Sequence, residues 1–188
     1  MKNNYFPLIA NFYLQNICTS ALYNSHQVVN EYNLLFPHFE NLVLEMISEH
    51  YDLFQEAELS LFETYRSVNR QQALFAQHHT SIRSVGYHHF GLAVDIVFLK
   101  NGQPSWNGNY EFLNNIAKKL GIHKTNYKEN CHFQFLEDSQ LVDLRNYVAM
   151  KIKLFQKLEG IKVDGIVGKI TIQHLKDYYL KDNKFIGV

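Results

Sequence analysis

The stretch Ser84-Val85-Gly86-Tyr87-His88-His89-Phe90-Gly91-Leu92-Ala93-Val94-Asp95-Ile96-Val97-Phe98 decides how the chain is read. It sets a histidine and an aspartate seven positions apart across a glycine turn and ends in an apolar run with strand character. From Leu92 onward the side chains alternate, so Leu92, Val94, Ile96 and Phe98 share one face while Ala93, Asp95 and Val97 share the other. A carboxylate on so apolar a strand is costly to bury unless something positive binds it. A divalent metal shared with His88 would meet that need.

With ten histidines in 188 residues, such a spacing also arises by chance. A second segment adds weight: Glu129-Asn130-Cys131-His132-Phe133-Gln134-Phe135 starts another alternating strand at a histidine, with a glutamate three residues earlier. Hydrolytic zinc sites use three nitrogen or oxygen ligands and keep a fourth position for water. They also need a carboxylate that does not ligate, to take the water's proton. His88, Asp95 and His132 are the expected ligands of one Zn2+, and Glu129 is the expected base. Gln134 falls on the His132 face of its strand. Cys131 would point away from that face and makes a poor ligand.

Three ordered fragments, Tyr65-Arg66-Ser67, His88-x-x-Gly91-x-Ala93-x-Asp95 and Glu129-x-x-His132-Phe133-Gln134, resemble the zinc D-alanyl-D-alanine carboxypeptidase / L-alanyl-D-glutamate endopeptidase family of peptidoglycan hydrolases. The resemblance spans roughly residues 40 to 136. It implies that Arg66 stabilises an oxyanion or holds a substrate carboxylate, and that Gln71 supports it. His89, next to the ligand His88, is expected to pack or to sit behind the ligands. The family usually carries Ser-x-His where this chain has Gly86-Tyr87-His88. Its endopeptidase members commonly use aspartate where Glu129 stands, whereas glutamate is the usual base of the carboxypeptidase and dipeptidase members. The His-Phe-Gln ending points back to the endopeptidases. Three readings therefore stay open: an L-alanyl-D-glutamate endopeptidase of endolysin type, a D-alanyl-D-alanine carboxypeptidase or dipeptidase on the same scaffold, or a decayed wall-binding or virion protein.

Past a short polar stretch, Glu137-Asp138-Ser139-Gln140, Leu144, Val148, Ile152 and Phe155 mark an amphipathic helix. Leu154-Phe155-Gln156-Lys157-Leu158, then Val163-Asp164-Gly165-Ile166-Val167-Gly168 and Thr171, resemble the small helical peptidoglycan-binding domain. The expected fold is α+β: a small antiparallel sheet with flanking helices carrying a zinc site, followed by a small three-helix domain. The expected limits are 1–138 for the catalytic domain and 139–188 for the binding domain. Residues 1–36, rich in aromatics and asparagine, show no clear period. Helices are predicted at 39–54, 70–78 and 109–120, and a strand at 59–64.

Composition bounds the rest. The chain is 46% apolar and 19% charged, as a globular protein is, and its formal net charge is zero. That argues against a nucleic-acid partner held by bulk charge. Peptidoglycan is the expected partner, and the protein is expected to be a monomer. The two cysteines, Cys18 and Cys131, are expected as reduced thiols. No run is long enough to span a membrane. The opening residues show no cleavage site, so synthesis in the cytoplasm without a Sec signal is expected, with action at the wall after release or by another export route.

Overall fold

The computed structural model describes residues 5–54, 58–80, 82–124 and 130–182. The chain divides into two compact units, one made of residues 24–139 and the other of residues 1–23 together with 140–188.

The first unit is α+β. Its helices are α2 (Pro37–Leu53), α3 (Val68–Ala76) and α4 (Tyr110–Lys119), and its strands are β1 (Leu59–Glu63), β2 (Ala93–Lys100), β3 (Gln103–Ser105) and β4 (His132–Gln134). Local chemistry accounts for the helix limits. Pro37 opens α2 at a position where the missing N–H is no loss. Ser67 caps α3 by accepting from the Arg70 N–H at 3.1 Å. Asn109 caps α4, whose last turn holds Lys118 and Lys119 against the helix dipole, and Gly121 follows at φ +73°.

β2 is the central strand. β1 runs antiparallel along one edge, and β4 and β3 share the other, β4 on the first half of β2 and β3 on its end. The apolar face of the sheet meets α2 and α4: Phe135 lies 5.9 Å from the Phe39 ring, and Phe98 lies 5.0 Å from the Tyr110 ring. Val94, Ile96, Phe133, Val43, Met46, Leu113 and Ile116 complete that core. The segment before α2 also belongs here, since Val29 bridges Tyr65. His88 lies on a 3-10 turn, Tyr87–Phe90, and Gly91 ends the turn at φ +67° so that the chain can swing into β2.

The second unit is helical. It contains α1 (Phe6–Phe12), a π-helical turn at Tyr13–Ile17, α5 (Leu141–Leu158) and α6 (Lys169–Asp182). Residues 140–182 thus supply two α-helices, and the third comes from the N-terminal segment that was expected to accompany the catalytic domain. Ile9, Ala10 and Ile17 are wholly buried, as are Leu144 and Leu175, and Phe6 packs 5.9 Å from the Tyr147 ring. The physical reason is size, because about 45 residues is near the lower limit for an independent core. The loop between α5 and α6 is organised by one buried side chain. Gln156 accepts at Oε1 from the Asp164 and Gly165 N–H groups, and its amide nitrogen is within 3.0–3.2 Å of Asp164 Oδ1, the Ile166 carbonyl and Thr171 Oγ1. Gly165 sits at φ +75°, where a side chain would be strained.

Candidate metal centre

The register of the sheet brings the site together. Asp95 on β2 lies directly opposite His132 on β4 and opposite Glu63 on β1, so the three side chains form a row across one face. The turn before β2 delivers His88 to the same place. His88 Nε2 is 3.1 Å from His132 Nδ1 and 3.3 Å from Asp95 Oδ1, and His132 Nδ1 is 2.9 Å from that same oxygen. Among the described residues this trio is the group whose ligand atoms could share an ion.

Two observations test the fit. Zinc bound tetrahedrally at its usual ligand distances sets neighbouring donors about 3.3 Å apart, and the three separations fall at or just under that value. The second concerns protons. The His132 Nε2 lies 3.3 Å from Gln134 Oε1, and the Gln134 amide nitrogen donates to the Leu136 carbonyl at 2.6 Å and to Asp138 Oδ1 at 3.0 Å. The glutamine therefore presents its oxygen to the imidazole and accepts the proton on Nε2, so that Nδ1, which pairs with Asp95 in the metal-free protein, could offer its lone pair to an ion. A hydrogen bond of this kind from the second ring nitrogen is the usual support of a ligating histidine. His88 Nδ1 is buried and has no such partner among the described residues.

The surroundings act on charge in opposite senses. Burial lowers the pKa of His88 below its ordinary value, partly countered by Asp95, so the ring is held neutral. Burial pushes the Asp95 carboxyl up, but attraction to His88 and hydrogen bonds with His132 and His88 outweigh it, and the group ends well below the usual carboxylate range. A neutral imidazole and an ionised carboxylate are the forms that bind metal.

Arg66 stands beside the trio. Its Nε and Nη2 donate to Glu63, Nη2 also reaches Asp95 Oδ2 at 3.4 Å, and Nη1 donates to Gln71 Oε1 at 3.3 Å. These contacts engage all three guanidinium nitrogens, so a forked grip on a substrate carboxylate would require breaking some of them. Gln71 in turn donates to the Ile82 carbonyl. His89 points elsewhere: its Nδ1 lies 3.2 Å from the Arg66 carbonyl and its ring faces Tyr65. The backbone at His88 and His89 is helical in the 3-10 sense, not extended, yet the two rings still diverge. Cys131 is outside the trio, and its carbonyl accepts from the Ile96 N–H. Glu129 lies outside the described residues.

Sequence reasoning missed Glu63 and Arg70. Glu63 is 1% exposed and takes both Arg66 and, at its other oxygen, Arg70. The spacing Glu63, Arg66, Arg70 was visible, but a strand-to-helix junction hides the fact that the three meet.

No protein-family model matches the chain, and no curated protein does. Among solved structures it is similar to the Serratia marcescens L-Ala D-Glu endopeptidase ChiX, at 22% identity over 56% of this chain and 83% of that one, with a TM-score of 0.44. It is similar to the LdcB LD-carboxypeptidase at 16% identity over 77% of each chain, TM-score 0.46. The L,D-carboxypeptidase DacB from Streptococcus pneumonia matches at 15% identity over 70% of this chain and 80% of that one, TM-score 0.40. At these similarities function has to be read from the residues of this chain.

Proposed function

We propose that this protein is a zinc-dependent peptidase that hydrolyses the stem peptide of peptidoglycan, as an L-alanyl-D-glutamate endopeptidase of endolysin type. The observation that carries the reading is the convergence of His88 Nε2, Asp95 Oδ1 and His132 Nδ1 within 2.9–3.3 Å of one another. The three would hold the ion with one position left for water. Bound there, zinc supplies a water of near-neutral pKa and a Lewis acid for the scissile carbonyl.

The chain's own residues do the rest. The Glu129 carboxylate takes the proton of the attacking water and returns it to the leaving amine. Gln134 keeps the His132 proton on Nε2. Arg66 holds Asp95 Oδ2, and its positive charge beside the centre favours the negative charge that develops on the carbonyl oxygen. The helical unit formed by α1, α5 and α6 would hold the enzyme on the wall.

Glu129, being a glutamate, favours the second reading, a D-alanyl-D-alanine carboxypeptidase or dipeptidase. Digestion of purified peptidoglycan by the zinc-loaded protein separates the two. New internal amino termini support the endopeptidase. Release of free D-alanine without them supports the carboxypeptidase. A wild-type protein that binds no zinc and is no more active than Glu129→Ala would leave only a wall-binding or virion role.

A further inference from the structure

Glu63 reaches the metal centre only because β1 is irregular. Counting antiparallel pairs from Leu59 opposite Phe98 would set Phe62 across from Asp95. A bulge between Leu61 and Glu63 adds one residue and puts Glu63 there instead. Phe62 packs its ring 5.2 Å from Trp106. Bulges re-aim side chains in this way and gather beside active sites.

The result is two carboxylates facing each other on neighbouring strands, one of them 1% exposed. Like charges so placed repel, and burial removes the water that would weaken the repulsion. The Arg66 guanidinium bridges them, donating to Glu63 through Nε and Nη2 and to Asp95 Oδ2 through Nη2. Arg70 Nε donates to the second Glu63 oxygen. Asp95 is thereby divided: Oδ2 is engaged by arginine, while Oδ1 faces both imidazoles.

We infer that Glu63 is a positioning residue of the metal centre, holding Arg66 so that Asp95 offers one oxygen to the ion. The inference rests on the reading of the trio as a metal site. An aspartate free to turn both oxygens inward would crowd the position that a reacting water needs. A buried acid opposite Asp95 with no role would be better replaced by the phenylalanine that regular pairing would have placed there.

The test is metal binding, without reference to turnover. Zinc affinity is measured by competition with a chromophoric chelator, and the visible absorption of the Co2+-substituted protein reports the ligand geometry. Glu63→Gln is expected to weaken zinc binding about 10- to 100-fold and to alter the Co2+ spectrum, while the metal-free protein still melts cooperatively. Arg70→Gln, which leaves the Arg66 contacts in place, is expected to stay close to wild type on both measures. Should Glu63→Gln fail to fold, Arg66→Lys serves, since lysine keeps the charge but not the fork, and the same loss is expected. Wild-type affinity and spectrum in Glu63→Gln or Arg66→Lys would overturn the inference, as would an equal loss in Arg70→Gln. Absence of zinc binding by the wild-type protein would instead overturn the metal-centre reading itself.

Discussion

The Nε2 of His132 sits 3.3 Å from the side-chain oxygen of Gln134, two residues along the same strand face, while its Nδ1 meets Asp95 Oδ1 at 2.9 Å. The glutamine is itself locked by Leu136 and Asp138, so the tautomer of a proposed ligand is set by a hydrogen-bond chain within β4 and the turn after it. Gln134→Leu removes the acceptor. Zinc affinity should fall by about 10- to 100-fold, read by chelator competition; unchanged affinity would mean that the ring is oriented by something else.

Acid should destabilise the metal-free protein in two steps of the same sign. His88 has its pKa lowered from 6.5 by burial, so the unfolded state binds more protons once the pH falls below that value, and stability declines. Asp95 is held below 3.8 by its histidine partners, so the stability it contributes is full above that value and is lost as the pH falls through its folded pKa. Urea unfolding between pH 8 and pH 2 should show both losses. Asp95→Asn should remove the lower step. Zinc affinity should decline over the upper window, since protons compete for the imidazoles.

Gly86 stands where the resembling family carries a serine. A Cβ built there meets nothing within 4 Å, and φ is −98°, which any residue adopts. Gly86→Ser should therefore leave stability within about 0.5 kcal/mol of wild type and raise hydrolysis of a stem peptide by adding a hydroxyl two residues from His88. Thermal melting and a peptide-release assay check the two halves. A fall in activity at unchanged stability would mean that substrate already fills that space.

Ile9 is wholly buried in the helical unit. Ile9→Ala should cost about 2–5 kcal/mol of that unit's stability, measured by denaturant unfolding. Residues 140–188 expressed alone should lack a cooperative melt, because Leu144 and Leu175 lose the N-terminal residues that share their core. A sharp transition in that fragment would show that residues 1–23 are dispensable.

Much of the site could be read from the chain because it depends on short-range pattern. His88 and Asp95 lie seven positions apart with one glycine turn between them, and alternation places Asp95 and His132 each on the polar face of its strand. The helix ends at Ser67, Asn109 and Gly121 follow from caps that act within one turn. The N-terminal helix is also written in the chain, though without a clean period. Phe6, Ile9, Ala10, Tyr13, Leu14, Ile17 and Cys18 keep a helical period, obscured by the exposed Leu8 and the off-face Phe12.

Residue order by itself determined the candidate ligands, the strand faces that carry them and the approximate limits of α2, α3 and α4, since these rest on periods and caps spanning a few positions. Tertiary structure decided that Glu63 faces Asp95, that Arg66 is engaged between two acids, and that residues 1–23 close the C-terminal helical core. Each of those depends on a register shift or on packing between distant segments, where the energy lies in contacts that no local pattern records.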